Sequence, residues 1–321
     1  MQWAIGVDGG GTHTRAVLVD REGVVRDMRT GGCGNYQRIG AAGLRALLDD
    51  LLPPLLAGVA ADGAALCLAL AGAGRPCEQQ QIAMLLKERR WSGVVRVESD
   101  ARAALMGAHA GAAGLIGIAG TGSIVLGQNQ DGQLMRAGGW GPLLGDEGGG
   151  YYLGLRALRA VARQLDGAGP DTALVEALAE ALDMADWSGL IPAVYGGSID
   201  RERIAALGPL VTAAAERGDV VALDIVERAG GALGDQVAAV ARRLGLLSAA
   251  SLCCMGGVLG RGGLLAAALE RAAAAHIDQL QLRPPQLPAA LGAVMLAWGE
   301  AGEVAGADRL ACLRATRPAG L

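Results

Sequence analysis

The sequence predicts an α/β protein built from two duplicated halves. Three observations predict it. A strand, glycine turn and strand unit opens the chain at Ile5-Gly6-Val7-Asp8-Gly9-Gly10-Gly11-Thr12 and returns as Ile116-Gly117-Ile118-Ala119-Gly120-Thr121-Gly122-Ser123. Apolar strand-like runs alternate with helical patterns after the opening meander. The length of 321 residues is enough for two ordinary domains.

In the first unit the apolar run ends in Asp8, passes three glycines and leaves through Thr12 and Thr14 into Ala16-Val17-Leu18-Val19. Glycines let main-chain N–H groups approach an anion, and the threonines can add hydroxyl donors. The turn therefore reads either as a plain hairpin or as a phosphate cradle. In the second case Asp8 requires a divalent cation between itself and the phosphate, Mg²⁺ held partly through water. A P-loop is excluded because the only lysine is Lys87, in a polar helix. A dinucleotide fingerprint is excluded because a strand, not a helix, follows the turn.

Val24 to Met28 continues as a third strand and leads to Gly34-Asn35-Tyr36, where Asn35 is either a turn residue or a hydrogen-bonding group for a sugar hydroxyl. Leu44 to Leu56 has helical spacing and stops near Pro53-Pro54. Ala65 to Leu70 is a continuous apolar run, hence a strand buried on both faces. A polar helix from Gln79 to Arg90 and a strand over Val94 to Val97 follow. Asp100 stands between that strand and the helix Ala101 to Ala110, where it serves either as a cap or as a general base beyond the strand ends.

The second copy carries Ala119 where the first has Asp8, so only one half would hold the metal. Next comes Gly139-Trp140-Gly141 and Gly145-Asp146-Glu147-Gly148, before the helix Tyr151 to Leu165. Linkers rarely spend a Trp and adjacent carboxylates in this way. The stretch is expected to bind, with Asp146 accepting from vicinal hydroxyls and Trp140 walling the pocket. From Pro170 to Leu246 the pattern is helical, with Asp171 and Asp219 as expected caps. Ala249 to Met255 is a late strand entering Gly256-Gly257, a turn that either closes a βα corner or lies under a nucleotide. A helix Gly263 to Ala275 and an apolar helix Pro288 to Trp298 complete the pattern, and Asp308 to Leu321 has no readable site.

Composition removes whole function classes. The chain is 52% hydrophobic, 19% charged and without Phe, so a core of Ala, Leu, Val and Ile is expected. Net charge is −4, and 27 arginines, the 28 basic residues less Lys87, are scattered among acids, which leaves no nucleic-acid stripe. Six cysteines without CxxC spacing read as reduced thiols of a cytoplasmic protein. No basic segment precedes Asp8, so no signal peptide is expected. The uncharged run 103–120 is Gly/Ala-rich and contains His109, so no membrane span is expected.

In their joint order these motifs resemble the BadF/BadG/BcrA/BcrD-type ATPases, in particular the N-acetylglucosamine kinase branch of the actin-like sugar kinase superfamily. The resemblance runs from Asp8-Gly-Gly-Gly-Thr12 through Gly34-Asn35, Leu68 to Gly72, Ser99-Asp100-Ala101, Ala119 to Ser123, Gly139 to Gly141 and Gly145 to Gly148, ending at Met255-Gly256-Gly257. It implies two ribonuclease-H-like domains with a cleft between them, residues 1–114 plus 288–321 and residues 115–287, the last helix returning to the first domain. It implies ATP and Mg²⁺ as cofactors, with Gly10, Gly11, Thr12, Thr14, Thr121, Gly122, Ala214, Gly256 and Gly257 around the nucleotide. Asp8 would hold the metal through water. Asn35, Gly120, Ser123, Gly139, Trp140, Gly141 and Asp146 would hold a small-molecule amino sugar, and Asp100 would also contact it, taking the proton of its 6-hydroxyl. A homodimer without nucleic-acid or membrane partners is implied as well.

Three rivals remain. A glucosamine kinase would take a free amine in place of the acetamide. An iron–sulfur redox activator of the same family would need exposed cysteines from each subunit, whereas Cys253-Cys254 lies within an apolar strand. A sugar-sensing regulator would need a DNA reader or zinc site, for which the first strand, starting near residue 3, and the three isolated histidines leave no room.

Overall fold

The computed structural model describes residues 2–59, 63–89 and 91–320. The expected helix end at Arg90, and the chain ends Met1 and Leu321, lie outside them. The described residues fall into two compact units, 1–112 with 284–321, and 113–283.

The first unit is built on β1 (Trp3–Gly9), β2 (Thr14–Asp20), β3 (Val25–Gly31), β4 (Ala65–Leu70) and β5 (Val95–Ser99), in the order β3-β2-β1-β4-β5. The first three form an antiparallel meander and β4 and β5 run parallel to β1. Alternation divides β4 between two cores: Leu66, Leu68 and Leu70 face one, Ala65, Cys67 and Ala69 the other. The leucine side is covered by α1 (Tyr36–Leu55) and α2 (Pro76–Glu88), through Leu44, Leu48, Ile82 and Leu86. The small side is covered by α3 (Asp100–Ala108) and a late helix we number α11 (Ala289–Glu300). All nine residues from Ala290 to Trp298 of α11 are buried, as expected for a helix apolar on every side. Its approach to the sheet depends on Gly6, where a Cβ would stand 2.6 Å from Val294 N. A last helix, α12 (Ala307–Thr316), lies beyond it.

The second unit repeats the plan. Its strands β6 (Gly114–Ala119), β7 (Ser123–Gln128), β8 (Leu134–Gly138), β9 (Ala250–Met255) and β10 (Leu280–Leu282) are ordered β8-β7-β6-β9-β10, with an antiparallel meander and two parallel additions. The strand order therefore reproduces the duplication read from the glycine turns. Between β8 and β9 stand α4 (Gly150–Leu165), α5 (Leu174–Leu182), α6 (Leu190–Tyr195), α7 (Arg201–Ala206), α8 (Gly208–Glu216) and α9 (Val220–Leu244), and α10 (Gly263–Ala274) follows β9. Their apolar faces form one core, with Leu153, Ala157 and Val161 of α4 among Leu233 and Val237 of α9.

Several expectations shift. The first helix starts at Tyr36, eight residues early, and is interrupted at Gly40 (φ +60°). The strands β8 and β10, absent from the sequence reading, pair at the two outer edges of the second sheet. Asp219 caps α9, accepting from Ala222 N, whereas Asp171 accepts from the Gln164 side chain. Among the described residues no helix is long and apolar enough to cross a membrane.

Candidate functional site

The parallel strands of the first unit end together: Gly9 lies opposite Leu70, and Leu70 opposite Ser99. Asp8 and Asp100 therefore stand at one edge of the sheet, outside the carboxyl ends of parallel strands, where open α/β sheets bind ligands. Asp100 is not the helix cap. Ser99 is, its hydroxyl oxygen accepting from Arg102 N, which leaves Asp100 at the first helical position. Asp100 Oδ1 accepts from Ala101 N at 2.9 Å.

The two acids share a field. Burial first and the Asp100 charge second push the Asp8 carboxyl up to about 6, against the opposing charge of Arg15. Burial also pushes Asp100 up, against hydrogen bonds from the backbone of Ala101 and its own N–H. Two partly desolvated carboxylates that repel one another fit a hydrated divalent cation, which would relieve both effects.

The first glycine turn divides its groups. Gly10 N donates to His13 O at 3.0 Å and is committed within the turn. Thr14 is fully buried and its hydroxyl donates to Gly32 O at 2.8 Å, so it ties the turn to the β3–α1 loop and presents no hydroxyl to a phosphate. Gly11 and Thr12 are exposed, with amides that have no partner among the described residues. The expectation of a phosphate cradle thus rests on Gly11 and Thr12, and Thr14 is corrected to a structural residue. Asn35 is the N-cap of α1, its side-chain oxygen accepting from Gln37 N at 3.0 Å. Asn35 thus caps a helix, a use its place in a glycine-rich loop did not announce, and its amide nitrogen has no partner among the described residues.

In the second unit the equivalent turn packs on the start of α4. Gly150 N donates to Gly120 O at 2.7 Å and Tyr151 N to Thr121 O at 3.0 Å, so the helix's first amides are satisfied by the turn itself. Thr121 is exposed and Gly122 half-buried. Ser123 is buried and its hydroxyl donates to Glu147 O at 2.6 Å, so it holds the 139–149 loop in place of facing a sugar. Gly139 N donates to Ser123 O at 3.0 Å from the other end of that loop.

Asp146 is buried with φ +60°, a left-handed conformation that few residues other than glycine adopt. Its Oδ1 accepts from Gly141 N at 3.1 Å, and Arg201 of α7 lies 3.5 Å from Oδ2. Burial raises its pKa, against the Gly141 N–H and the Arg201 charge. A Cβ on Gly122 would stand 2.9 Å from the Asp146 carboxyl carbon, which explains the glycine there. Trp140 is 65% exposed, with the Arg136 guanidinium 5.2 Å from its ring centre. Arg201 was missed because an arginine opening a short helix carries no signal of its own.

The third glycine turn is exposed at Gly256 and Gly257 and bound to the end of β6, Val258 N donating to Ala119 O at 3.0 Å. Beside it lies a pocket of about 260 Å³ between α8 and the 257–264 segment, lined by Thr212, Ala213, Glu216, Gly257 and Arg261. Ala214 is fully buried in the core and does not line it. The correction has a helical cause: Pro209, Thr212, Ala213 and Glu216 share one face of α8, while Val211, Ala214 and Ala215 face inward. Cys253 is buried, and burial pushes the Cys253 and Cys254 thiols up to about 11, which suits inert core thiols better than cluster ligands.

Two five-stranded sheets of one strand order, each with a glycine turn after its first strand, define a duplicated actin-like ATPase. The chain belongs to the BadF/BadG/BcrA/BcrD ATPase family, whose sequence profile matches residues 5–297. It is 30% identical over 308 residues to the N-acetyl-D-glucosamine kinase of Dictyostelium discoideum, covering 91% of this chain and 97% of that one. It is 29% identical over 306 residues to an N-acetylmuramic acid/N-acetylglucosamine kinase of Clostridium acetobutylicum, covering 94% and 99%. Among solved structures it resembles a candidate N-acetylglucosamine kinase from Chromobacterium violaceum, with a TM-score of 0.72, 30% identity, and coverage of 92% of this chain and 99% of that one.

Proposed function

We propose that this protein transfers the γ-phosphate of ATP to the 6-hydroxyl of N-acetylglucosamine, with Asp100 as the general base. That the chain is an ATP-dependent sugar kinase follows from its family and from relatives matched over nine-tenths of its length. The acceptor, the hydroxyl and the base are the proposal. The observation that carries it is the release of Asp100 from capping duty: Ser99 caps α3, and Asp100 is left at the strand edge with a raised pKa.

Phosphoryl transfer asks for placement and charge neutralisation more than for a strong base. A carboxylate accepting a hydrogen bond from the attacking hydroxyl is sufficient to take its proton as the bond to phosphorus forms. Asp8 would hold Mg²⁺ through water, and the ion would supply neutralisation of phosphate charge. Gly11, Thr12, Thr121 and Gly122 would donate to the phosphates, and the Gly256-Gly257 turn with the α8 pocket would take the adenosine. Asn35, Gly120, Gly139 to Gly141 and Asp146 would hold the sugar. We assign the two units to two ribonuclease-H-like domains, and the protein to the cytoplasm as a homodimer.

The test is an ADP-release assay over N-acetylglucosamine, glucosamine, N-acetylmannosamine, N-acetylmuramic acid and glucose, with phosphorus NMR of the product. The expected result is turnover on N-acetylglucosamine with a 6-phosphate product, reduced about 10²-fold or more in Asp100→Asn. Turnover confined to glucosamine, or undiminished turnover in Asp100→Asn, overturns the proposal.

A further inference from the structure

A groove of about 590 Å³ runs between α4 and the first half of α9. Four arginines line it, Arg156, Arg159 and Arg163 from α4 and Arg228 from α9, against one acid, Asp224. The sequence scatters its arginines, but helical spacing gathers these. Tyr152, Arg156, Arg159 and Arg163 are four, three and four residues apart and so share one face.

Asp224 is already spoken for, since Arg228 Nε reaches its two oxygens at 3.0 and 2.8 Å. The three α4 arginines have no carboxylate partner among the described residues. Arg156 lies over the Tyr152 ring at 5.1 Å, and Arg163 donates to Ala168 O at 2.8 Å. The Arg159 side chain makes neither a hydrogen bond nor an ion pair among the described residues. Like charges one turn apart each cost a helix roughly 0.2–0.5 kcal/mol, and an ordinary solvated face interleaves acids to avoid that cost. This face does not.

The opposite wall sets apolar side chains beside the Arg228–Asp224 pair. Val221 and Ile225 line it, and Val220 stands 68% exposed at its rim. A cationic wall facing one that carries Val220, Val221 and Ile225 beside a neutralised ion pair, in a volume typical of small-molecule sites, suits an amphiphilic anion. Guanidinium forks match phosphate oxygens in pairs, which favours phosphate. We propose that this groove binds a phosphorylated small molecule, its phosphate held by Arg156, Arg159 and Arg163 and its organic part laid on Tyr152, Val220 and Ile225. None of these residues belongs to the groups assigned above to nucleotide, metal or amino sugar.

Titration calorimetry of the full chain at low ionic strength tests the proposal, with inorganic phosphate and glucosamine 6-phosphate as separate ligands. The proteins compared are the wild type and Arg156→Gln/Arg159→Gln. Uptake of either ligand at the catalytic site is common to both proteins, so only the difference between them reads the groove. The double variant is expected to bind glucosamine 6-phosphate on the order of tenfold more weakly, with sugar turnover unchanged. Inorganic phosphate is expected to bind more weakly than the sugar phosphate, because it leaves the apolar side chains bare. If the double variant does not fold, Arg159→Lys, which keeps the charge and loses the fork, is expected to weaken binding by a smaller factor. Equal binding by wild type and variant, or no binding by the wild type, overturns the proposal. Equal binding of the two ligands overturns the role of the apolar side chains.

Discussion

The Arg201 guanidinium lies 3.5 Å from Asp146 Oδ2, while the other oxygen of that carboxylate accepts from Gly141 N at 3.1 Å. One buried side chain thus ties the start of the glycine and tryptophan loop to a helix some 55 residues further on. Asp146 does so from a left-handed backbone, which asparagine tolerates and β-branched residues do not. Asp146→Asn is therefore expected to fold, with its melting temperature within a few degrees of wild type, and to raise the KM for the amino sugar on the order of tenfold. Asp146→Val adds backbone strain of about 1–3 kcal/mol. Thermal unfolding and sugar titrations separate the two effects, and a Val variant as stable as the Asn variant would remove the strain argument.

Ala213 and Ala214 are neighbours with opposite surroundings. Ala213 lines the 260 Å³ pocket and Ala214 is fully buried. Ala213→Leu is expected to raise the KM for ATP severalfold by filling the pocket, with little change in melting temperature. Ala214→Leu overpacks the core and is expected to cost about 1–3 kcal/mol of stability. Nucleotide titration and thermal melts check both, and a reversal of the two patterns would remove the pocket from the adenosine site.

Asp8 sets a pH dependence whose sign is fixed by the direction of its shift. Its folded pKa, about 6, lies above the ordinary aspartate value of 3.8. Between those two values the folded protein binds more protons than the unfolded chain, so stability falls as the pH rises through the window and is level above it. The expected size is about 1–3 kcal/mol, since one pKa unit corresponds to about 1.4 kcal/mol and Asp8 keeps part of its exposure. Asp8→Asn is expected to remove this slope, to be more stable than wild type at neutral pH without Mg²⁺, and to lose kinase activity. Melts across pH 4 to 7 measure it, and an unchanged slope in Asp8→Asn would place its origin elsewhere.

The sequence carried the strands and turns of this protein better than the uses to which its hydroxyls are put. The strand-end positions of Asp8 and Asp100 were legible because strand ends are marked by a break in an apolar run. The duplication was legible from two glycine turns, and the strand orders match. The edge strand β10 was not, because three residues carry too little alternation, and β8 is short and half-exposed. Nor was the start of α1, since Gly40 breaks the helical period. Thr14 and Ser123 look like ligand donors by position, yet each hydroxyl satisfies a carbonyl of a loop distant in sequence, Gly32 O or Glu147 O. Such pairings depend on the folded loops and leave no periodic trace.

Thr12 and Thr14 make that distinction measurable. Thr14→Val keeps the shape of the side chain but removes the donor to Gly32 O, leaving the β3–α1 loop without its tie to the turn. The expected cost is about 1 kcal/mol or more, read as a fall in melting temperature of roughly 2–4 °C for a protein of this size. The KM for ATP is expected to change little, because the Thr14 side chain is sealed from solvent. Thr12→Val should do the converse, since Thr12 is exposed and no stability depends on its hydroxyl. Its melting temperature should match wild type while the KM for ATP rises severalfold, as a lost hydrogen bond to a charged group requires. Should Thr14→Val weaken ATP and leave stability untouched, the assignment of the two threonines would have to be exchanged.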